Sequence, residues 1–475
     1  MLSAHVGDAL RAIAGDDAVI TRPSELRVYE CDGYTIEKSL PEVVVLPRSA
    51  EALVEVVRLL HREQVAFVPR GAGTGLSGGC LALDAPVVVG TSRLTRIVEI
   101  DLANRRAVVE AGVVNLWVSN AVKDRGLCYA PDPSSQMACT IGGNVAENSG
   151  GPHTLKYGVT TNHVLGVELV LPTGDVVQLG GAVEDVPGYD LTGLAVGAEG
   201  TFGIVTKATL RLIRQPAAWK TLLAVFETVE DATATVSGII AAGVVPAALE
   251  MMDQLIIEAV EAAFHFGFPT DAGAVLIVEL DGLEAGLEPQ AQQVVEICRA
   301  HRARAVSVAR DETERAALWK SRKRAFGAVG RLAPNYCTQD GVVPRTKLPD
   351  ILRRIVEIGQ RYALRIGNVF HAGDGNIHPI ILYDERDADQ VRRVLDAGRE
   401  ILEACVALGG SVTGEHGVGV EKIAQMPLLF SPDDLLVMSD LRRVFDPALR
   451  CNPGKIFPTP GGCVETTRPH RQVAS

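Results

Sequence analysis

The sequence has no apolar run long enough to cross a bilayer. Its most apolar stretch, residues 238–249, is short and interrupted by glycine and proline, whereas a spanning helix needs roughly 18–20 apolar residues. Residues 1–19 lack the basic start and apolar centre of a signal peptide, and their pattern predicts a short amphipathic helix. We therefore expect a cytoplasmic protein whose contact with the inner face of the cell membrane is peripheral or made through a partner.

Positive charge and clustered cysteine are also scarce. The chain has 46 Lys and Arg against 58 Asp and Glu, a net charge of −12, and no basic tract, which argues against a nucleic-acid partner. Nine scattered cysteines without a CxxC motif predict reduced thiols, and indicate neither a disulfide framework nor an iron–sulfur site. With 475 residues, 47% of them hydrophobic, the chain is long enough for about three structural units.

The chain divides into two parts that differ in their sequence pattern. Up to about residue 215 it is dense in glycine and short β-rich runs, with one helical pattern at Ser49–His61. Longer strands and helices then alternate, which predicts a sheet covered by helices. We predict an α+β protein with units at 1–215 and 216–425, a C-terminal segment at 426–475, and a frayed polar tail from Gly461.

The segment 69–79, PRGAGTGLSGG, contains a formal GxGxxG match at Gly73, Gly75 and Gly78, with Asp101 about 20 residues beyond. A Rossmann site needs a helix that begins at these glycines, but here the chain continues through Pro86 into another strand, so we reject that interpretation. The alternatives are a plain run of turns or a loop whose N–H groups converge on a diphosphate.

Two further segments have the same character, namely 131–151 (PDPSSQMACTIGGNVAENSGG) and 193–206 (GLAVGAEGTFGIVT). Gly142, Gly143 and Asn144 let the backbone approach a ligand, while Asn148 and Ser149 supply polar groups. Three such segments within about 140 residues favour a large, extended, phosphate-bearing cofactor over ordinary loops.

These three segments, together with LKYG at 155–158, resemble the FAD-binding half of the flavoprotein family of vanillyl-alcohol oxidase and p-cresol methylhydroxylase. Within it, the chain is most similar to the branch that contains the FAD-linked subunits of bacterial glycolate oxidases and the D-lactate and D-2-hydroxyglutarate dehydrogenases. The resemblance runs from Tyr29 to the NPGK turn at 452–455. It implies two α+β subdomains that hold FAD in 1–215, a ferredoxin-like cap of sheet and helices in 216–425, and a C-terminal segment that returns to the FAD domain.

The resemblance also implies the cofactor residues. The pyrophosphate would be held by the first loop, the flavin would lie beside the second, the third would line the adenine side, and the C-terminal turn would approach the ring. These residues are Pro69, Arg70, Gly71, Ala72, Gly73, Thr74, Gly75, Leu76 and Ser77; Pro131, Asp132, Pro133, Ser134, Ser135, Gly142, Gly143, Asn144, Ala146 and Asn148; Gly200, Ile204 and Val205; and Asn452. Some family members tether the flavin through His or Cys, but the first loop here has Thr74, so we expect non-covalent FAD.

The segment 369–382, VFHAGDGNIHPIIL, predicts a strand, a four-residue turn and a second strand. A hairpin symmetric about GDGN would place His371 opposite His378, with Cβ atoms about 4.5–5.5 Å apart. GEHGVG at 414–419 adds Glu415 and His416 between glycines. These are either ordinary polar turn residues or a set of two histidines and a carboxylate that suits zinc, iron or manganese.

The family resemblance favours the metal interpretation. It implies that His371, His378 and Glu415 bind a divalent metal and that His416 is the base. Arg322, shortly after Trp319, resembles the family arginine that binds the substrate carboxylate, although a solvated basic helix face is the alternative. Asp340 also resembles a family position, but the sequence assigns it no role.

Oxidation of a 2-hydroxy acid explains these residue types. A metal lowers the pKa of the hydroxyl, a neutral histidine takes its proton, and the flavin accepts the hydride. Relatives that act on longer dicarboxylic acids have Asn and Lys where this chain has Ile380 and Thr338, which favours a short acid, glycolate or D-lactate.

The function predicted is therefore oxidation of glycolate to glyoxylate. The resemblance implies that electrons pass to a second FAD-type subunit, an iron–sulfur subunit and quinone. The alternatives are a stand-alone D-lactate dehydrogenase with a cytochrome or quinone acceptor, another D-2-hydroxy-acid dehydrogenase, a non-redox metalloprotein, and a catalytically idle FAD-binding subunit.

Overall fold

The first sheet of the computed structural model, which describes residues 2–183 and 187–458, has four strands in the order β1-β2-β4-β3. The three apolar strands β2, β4 and β3 are parallel, and β1 joins antiparallel. Helix α3 begins after Ser49, whose hydroxyl accepts from the Ala52 N–H at 3.2 Å. The elements are α1 (Ala4–Ala14), β1 (Val19–Ile20), α2 (Pro23–Leu26), β2 (Val43–Val45), α3 (Ala50–Arg62), β3 (Phe67–Arg70) and β4 (Val87–Gly90).

The second sheet has five antiparallel strands in the order β5-β6-β10-β8-β9. Strand β10 alternates buried and half-buried residues along its length, as expected of a strand with one face on the core. The elements are β5 (Ile97–Asp101), β6 (Arg106–Glu110), α4 (Asn115–Val122), β7 (Leu127–Cys128), α5 (Ile141–Glu147), α6 (Thr154–Tyr157), β8 (Val164–Val170), β9 (Val176–Gly180), α7 (Leu191–Ala195), β10 (Ile204–Arg211) and β11 (Ile213–Arg214), with β7 paired to β11.

The third sheet has nine strands and is covered on both faces. On β14, Leu276 and Val278 pack toward α8, α10, α12 and α13, whereas Val275 and Ile277 pack toward α9 and α11. The elements are β12 (Ala218–Phe226), α8 (Val229–Ala241), β13 (Ala248–Asp253), α9 (Gln254–Phe264), β14 (Ala274–Gly282), α10 (Glu284–Ala300), β15 (Ala305–Val308), α11 (Glu312–Val329), β16 (Asn335–Thr338), β17 (Gly341–Val342), α12 (Leu348–Arg361), β18 (Arg365–His371), β19 (Asn376–Ile377), β20 (Pro379–Tyr383) and α13 (Ala388–Ala407).

After two last helices, α14 (Met426–Leu429) and α15 (Pro432–Phe445), the chain returns to the first sheet. Phe67 N–H donates to the Arg450 carbonyl at 2.9 Å, and Asn452 N–H donates to the Phe67 carbonyl at 2.8 Å. Cys451 is buried in the core of that sheet. The C-terminal segment therefore adds to the N-terminal half, while the tail from Gly461 and Cys463 lie outside the described residues.

Several expectations from the sequence are confirmed. The N-terminal helix is α1, and the helical pattern at Ser49–His61 corresponds to α3. The described segment between β3 and β4 contains no helix, which agrees with rejecting the Rossmann interpretation. The eight cysteines of the described residues are free thiols. Among the helices that the structure describes, none has the length and apolarity needed to cross a membrane. The unit boundaries at 215 and 425 remain predictions.

Candidate active site

A cavity of about 400 Å³ brings the three glycine-rich segments together with the histidine and carboxylate residues. Most of the residues predicted from the sequence line it. They are Pro69, Arg70, Gly71, Ala72, Gly73, Thr74, Gly75 and Leu76; Pro133, Ser134, Ser135, Gly142, Gly143, Asn144 and Ala146; Gly200, Ile204 and Val205; and Arg322, His371, His378, Glu415 and His416. Sequence positions more than 300 residues apart thus line one cavity.

The glycines allow the loops around the cavity to pack closely. A Cβ on Gly142 would lie 2.7 Å from the Ala111 Cβ, and one on Gly71 would lie 2.7 Å from the Thr140 hydroxyl. Gly73 has a φ of +71°, and a Cβ there would overlap the guanidinium of Arg70. The backbone can therefore form the cavity wall at positions where any side chain would separate the loops.

Five predicted cofactor residues do not line the cavity. Their polar groups hold the loops in place: Asn452 Nδ2 donates to the carbonyls of Gly79 at 2.9 Å and Glu199 at 2.6 Å, and Asn148 Oδ1 accepts from Thr161 N–H at 2.9 Å. These side chains position the cavity wall and have no contact with its interior. The five residues are Ser77, Pro131, Asp132, Asn148 and Asn452.

The three predicted metal ligands converge. His371 Nε2 lies 3.3 Å and His378 Nε2 lies 3.2 Å from the same oxygen, Oε1 of Glu415. One ligand atom from each residue lies within 4.8 Å of the other two. Both histidines are buried, so two imidazole nitrogens and a carboxylate oxygen face a common point.

The hairpin register that brings the histidines together differs from the symmetric one predicted. His371 pairs with Asn376 and not with His378, because the turn begins one residue earlier, at Ala372. His378 lies between β19 and β20, and the two imidazole rings meet edge to face with centroids 5.2 Å apart. The predicted pairing was wrong, but both residues remain on one face of the hairpin, so the side chains still converge.

His416 lies against this group. Its ring stacks on that of His378 with centroids 4.9 Å apart, and its Nε2 lies 3.8 Å from Glu415 Oε1. Burial lowers the pKa of His416 to about 4 despite the nearby charge of Asp340. The ring is therefore neutral at pH 7 and has a nitrogen available to accept a proton.

Asp340, whose role was not predicted, anchors the loop that carries Glu415 and His416. Its Oδ2 accepts from the Thr413 hydroxyl at 2.5 Å and from the N–H groups of Gly414 and His416 at 3.0 Å each. Burial alone would raise the pKa of Asp340, but the charge of Lys422, 3.1 Å away, holds it well below its usual value. The loop is thus wrapped around a buried carboxylate.

The N-terminal half holds the other side of this loop. Glu199 accepts from Val418 N–H and Gly419 N–H, each at 2.7 Å. The Ser77 hydroxyl donates to the His416 carbonyl at 3.0 Å, and the Ser77 carbonyl accepts from Val420 N–H at 2.9 Å. The loop 413–420 is therefore fixed from both halves of the molecule.

Arg322 lies on α11 and is 1% exposed. Its Nε forms an ion pair with Oε2 of Glu250 at 2.6 Å, and neither Nε nor Nη2 has a hydrogen-bond partner in the described part of the chain. A buried guanidinium with an unused donor that lines a cavity is suited to bind an anionic ligand. Its neighbours Lys323 and Arg324 are exposed, and Lys323 also lines the cavity.

A second buried network joins α11 to the segment beside the second glycine-rich loop. Glu279, on β14, accepts from Nε and Nη2 of Arg315 at 2.9 Å each and from the indole N–H of Trp319 at 2.5 Å. His153 Nε2 lies 3.5 Å from Glu279, and its Nδ1 lies 2.9 Å from Asp132. The helix that carries Arg322 is therefore tied to the cavity wall.

Sequence reasoning missed Glu199, Glu250 and Glu279 and assigned Asp340 no role. Glu250 and Glu279 were detectable as single carboxylates within the otherwise apolar strands ALEMMD and AVLIVELDG, since an unpaired charge is rarely placed in a sheet interior. Their partners were not detectable, because these lie 36 to 121 residues away.

Two protein-family models match most of the chain. Residues 41–180 match the FAD binding domain model, and residues 215–456 match the model of the FAD linked oxidases, C-terminal domain. The chain is 45% identical over 457 residues to the glycolate oxidase subunit GlcD of Escherichia coli (strain K12), covering 96% of this chain and 92% of that protein. It is 31% identical to the probable mitochondrial D-lactate dehydrogenase of Danio rerio, covering 95% and 92%.

The structure of p-cresol methylhydroxylase with substrate bound has the same fold. It superimposes with a TM-score of 0.80 at 16% identity, covering 95% of this chain and 96% of that one. The predicted α+β fold of the vanillyl-alcohol oxidase type is thus confirmed. With both halves matched, the chain belongs to the FAD-linked oxidases of the vanillyl-alcohol oxidase and p-cresol methylhydroxylase family.

Proposed function

We propose that this protein oxidises a short 2-hydroxy acid, glycolate to glyoxylate, with FAD as the hydride acceptor. The observation that carries the proposal is the convergence of Arg322 and the group His371, His378, Glu415 and His416 on the cavity that the three glycine-rich segments also line. The 45% identity to a glycolate oxidase subunit supports the choice of glycolate.

The residues present fit both FAD and a divalent metal. Glycines line the cavity at positions where a Cβ would collide with the opposite loop, which suits a cofactor held largely by backbone. FAD, when bound, accepts a hydride from the carbon that bears the substrate hydroxyl. His371, His378 and Glu415 would hold the metal, and their nitrogen and oxygen donors suit zinc, iron or manganese, which would lower the pKa of the hydroxyl.

The chain's own residues then have distinct tasks. Arg322 binds the substrate carboxylate through its unused Nη2 donor. His416 takes the hydroxyl proton on Nε2, the ring nitrogen beside Glu415. The substrate loses one hydride and one proton, and the product is the 2-oxo acid.

The end of the cavity near Arg322 favours a small acid. Thr338 lines it, and its strand partner Ile380 is fully buried in the sheet. Neither side chain provides a charge for a second carboxylate, and the cation next to Arg322 in the cavity lining, Lys323, is exposed to solvent. Glycolate and D-lactate both satisfy this condition, and the 31% identity to a D-lactate dehydrogenase makes D-lactate the second candidate.

The reduced flavin needs an electron acceptor. Because relatives are named as a subunit of glycolate oxidase, we propose that a second FAD-type subunit and an iron–sulfur subunit carry electrons onward to quinone. The site of action would be the cytoplasm, with peripheral contact to the inner face of the membrane through those partners.

The test is an absorption spectrum of the purified protein, followed by anaerobic addition of glycolate and then of D-lactate. Loss of the oxidised-flavin absorbance near ~450 nm, typical of flavoprotein dehydrogenases, is expected with glycolate at a higher rate than with D-lactate. Removal of metal by a chelator should abolish bleaching without release of FAD, and added Zn²⁺, Fe²⁺ or Mn²⁺ should restore it. A colourless protein that takes up no FAD would overturn the proposal and favour a non-redox metalloprotein.

Turnover with an artificial dye acceptor separates the remaining alternatives. A glycolate oxidase subunit should prefer glycolate in kcat/KM, whereas a stand-alone D-lactate dehydrogenase should prefer D-lactate. A yellow protein with bound metal that neither acid bleaches would support a catalytically idle subunit.

A further inference from the structure

Glu250 contacts both the candidate metal ligand His371 and the candidate substrate cation Arg322. No sequence motif links these two residues. Glu250 lies on β13, directly opposite His371 in the antiparallel register, and is 1% exposed. Its Oε1 lies 2.7 Å from His371 Nδ1, and its Oε2 lies 2.6 Å from Arg322 Nε. One carboxylate thus contacts a candidate metal ligand with one oxygen and the candidate substrate cation with the other.

The contact with His371 determines which ring nitrogen faces the site. Nδ1 faces Glu250 and donates its N–H to that carboxylate, so Nε2 is the ring nitrogen that remains on the side of Glu415, 3.3 Å away. Histidines that bind metals commonly donate their other N–H to a carboxylate in this way, which fixes the ring orientation.

The contact with Arg322 determines which donors remain for a ligand. Glu250 forms an ion pair at the Nε side of the guanidinium, and neither Nε nor Nη2 has a hydrogen-bond partner within the described residues. The planar guanidinium cannot rotate toward a ligand without losing Glu250. The same carboxylate therefore sets the direction from which Arg322 meets an anion.

We propose that Glu250 is a positioning residue that couples metal binding to binding of the substrate carboxylate. The inference rests on the proposed function, since it needs His371 to hold a metal and Arg322 to bind the acid. Replacement of Glu250 alone should therefore weaken both metal binding and acid binding. If the two sites were independent, one substitution would weaken only one of them.

The test uses the FAD-loaded full chain with Glu250→Gln. The amide oxygen can accept from only one of the two partners, and its NH₂ group opposes the other. Metal affinity, measured without turnover by competition for Zn²⁺ with a chromophoric chelator, is expected to fall about 10- to 100-fold. At saturating metal, the KM for glycolate should rise by about tenfold or more, with a smaller change in kcat.

Glu279→Gln is the matched control. Glu279 is also a buried carboxylate of the same sheet that is paired with an arginine of α11, but it contacts none of the metal ligands. Its removal should leave the Zn²⁺ affinity within about twofold of the wild-type value. An equal loss of metal affinity in both variants would mean that general loosening of the sheet is responsible and would overturn the inference.

The outcomes separate the inference from the proposed function. If the wild type binds no stoichiometric metal, the metal site itself is absent and the proposed function fails. If the wild type binds metal and Glu250→Gln binds it equally well, only the coupling fails. If Glu250→Gln does not fold, Glu250→Asp replaces it in the same measurements. Its shorter side chain keeps the charge but cannot reach both His371 and Arg322, so metal affinity should still fall and the KM for glycolate should still rise. Unchanged values of both would overturn the coupling.

Discussion

The hydroxyl of Ser77 donates a hydrogen bond to the main-chain carbonyl of His416, 3.0 Å away, across 339 residues of sequence. Ser77 belongs to the first glycine-rich loop, and His416 is the proposed base. This bond joins the first glycine-rich loop to the residue proposed as the base.

Removal of this bond should affect the rate more than substrate binding. Ser77→Ala is expected to cost about 1 kcal/mol of unfolding free energy and to lower kcat by about tenfold, with KM nearly unchanged, because the base loses one of its positional restraints. Steady-state kinetics with a dye acceptor and urea unfolding measure the two effects.

Ser39→Ala is the control for Ser77→Ala. The Ser39 hydroxyl also donates to a carbonyl, that of Ala82 at 2.9 Å, but it lies away from the loop 413–420. It should lose similar stability and keep its kcat. If both variants lose kcat to the same extent, the bond to His416 has no specific role.

Replacement of Arg322 should separate substrate binding from cofactor binding. Arg322→Met removes the cation, and we expect the KM for glycolate to rise by about 100-fold or more, while the FAD content is unchanged. Arg324→Met, which changes an exposed residue of the same helix, should leave KM within about twofold. A normal KM in Arg322→Met would rule out Arg322 as the carboxylate ligand.

The ion pairs of His153 should make stability depend on pH. Burial alone would lower the pKa of His153, but the charge and hydrogen bond of Asp132, assisted by Glu279, raise it to about 10 from 6.5. A raised pKa gives stability that is fully present below pH 6.5 and is lost as the pH rises toward 10. The free energy of unfolding of the wild type should exceed that of His153→Gln by about 2–3 kcal/mol at pH 6. This difference should disappear by pH 10.

Glu279 provides a check of opposite sign. Burial would raise its pKa, but hydrogen bonds from His153, Arg315 and Trp319 lower it to about 2 from 4.5. Its contribution is present above pH 4.5 and is lost as the pH falls toward 2. Urea unfolding of the wild type, His153→Gln and Glu279→Gln across the pH range measures the contributions of His153 and Glu279 to the free energy of unfolding. A stability difference between wild type and His153→Gln that grows above pH 6.5 would contradict the assignment.

A glycine that lines the cavity offers a test of cofactor binding. A Cβ on Gly143 would meet protein only at the Thr140 hydroxyl, 3.4 Å away, so Gly143→Ala should fold normally. Because Gly143 lines the cavity, the added methyl group should reduce the affinity for FAD by about tenfold. Gly181→Ala, where a Cβ would meet nothing within 4 Å, is the control. Equal FAD affinities by fluorescence titration would show that Gly143 is not close to the cofactor.

Local patterns predicted much of the fold. The amphipathic pattern near the N-terminus located α1, and the helical pattern at Ser49–His61 located α3, because such signals depend only on neighbouring residues. The hairpin register was wrong because the turn takes in Ala372, a choice that packing decides and turn composition does not.

The sequence predicted the residues of the candidate site that belong to recognisable motifs. It did not predict the buried residues that hold them in position. His371, His378, Glu415 and Arg322 line the cavity as the motifs indicated. Glu250 was missed because its role depends on partners brought together by β13, β18 and α11. Such contacts arise only from the tertiary structure.

The loop 413–420 has a consequence for the order in which the protein is made. It takes its shape from Ser77 and Glu199, which leave the ribosome early, and from Asp340, which leaves late. The glycine-rich cavity is also not complete before the C-terminal turn is made, because Asn452 holds the carbonyls of Gly79 and Glu199, and Phe67 is hydrogen-bonded to Arg450 and Asn452. A fragment that ends before residue 413 would therefore lack the proposed base and also these contacts of the cavity wall.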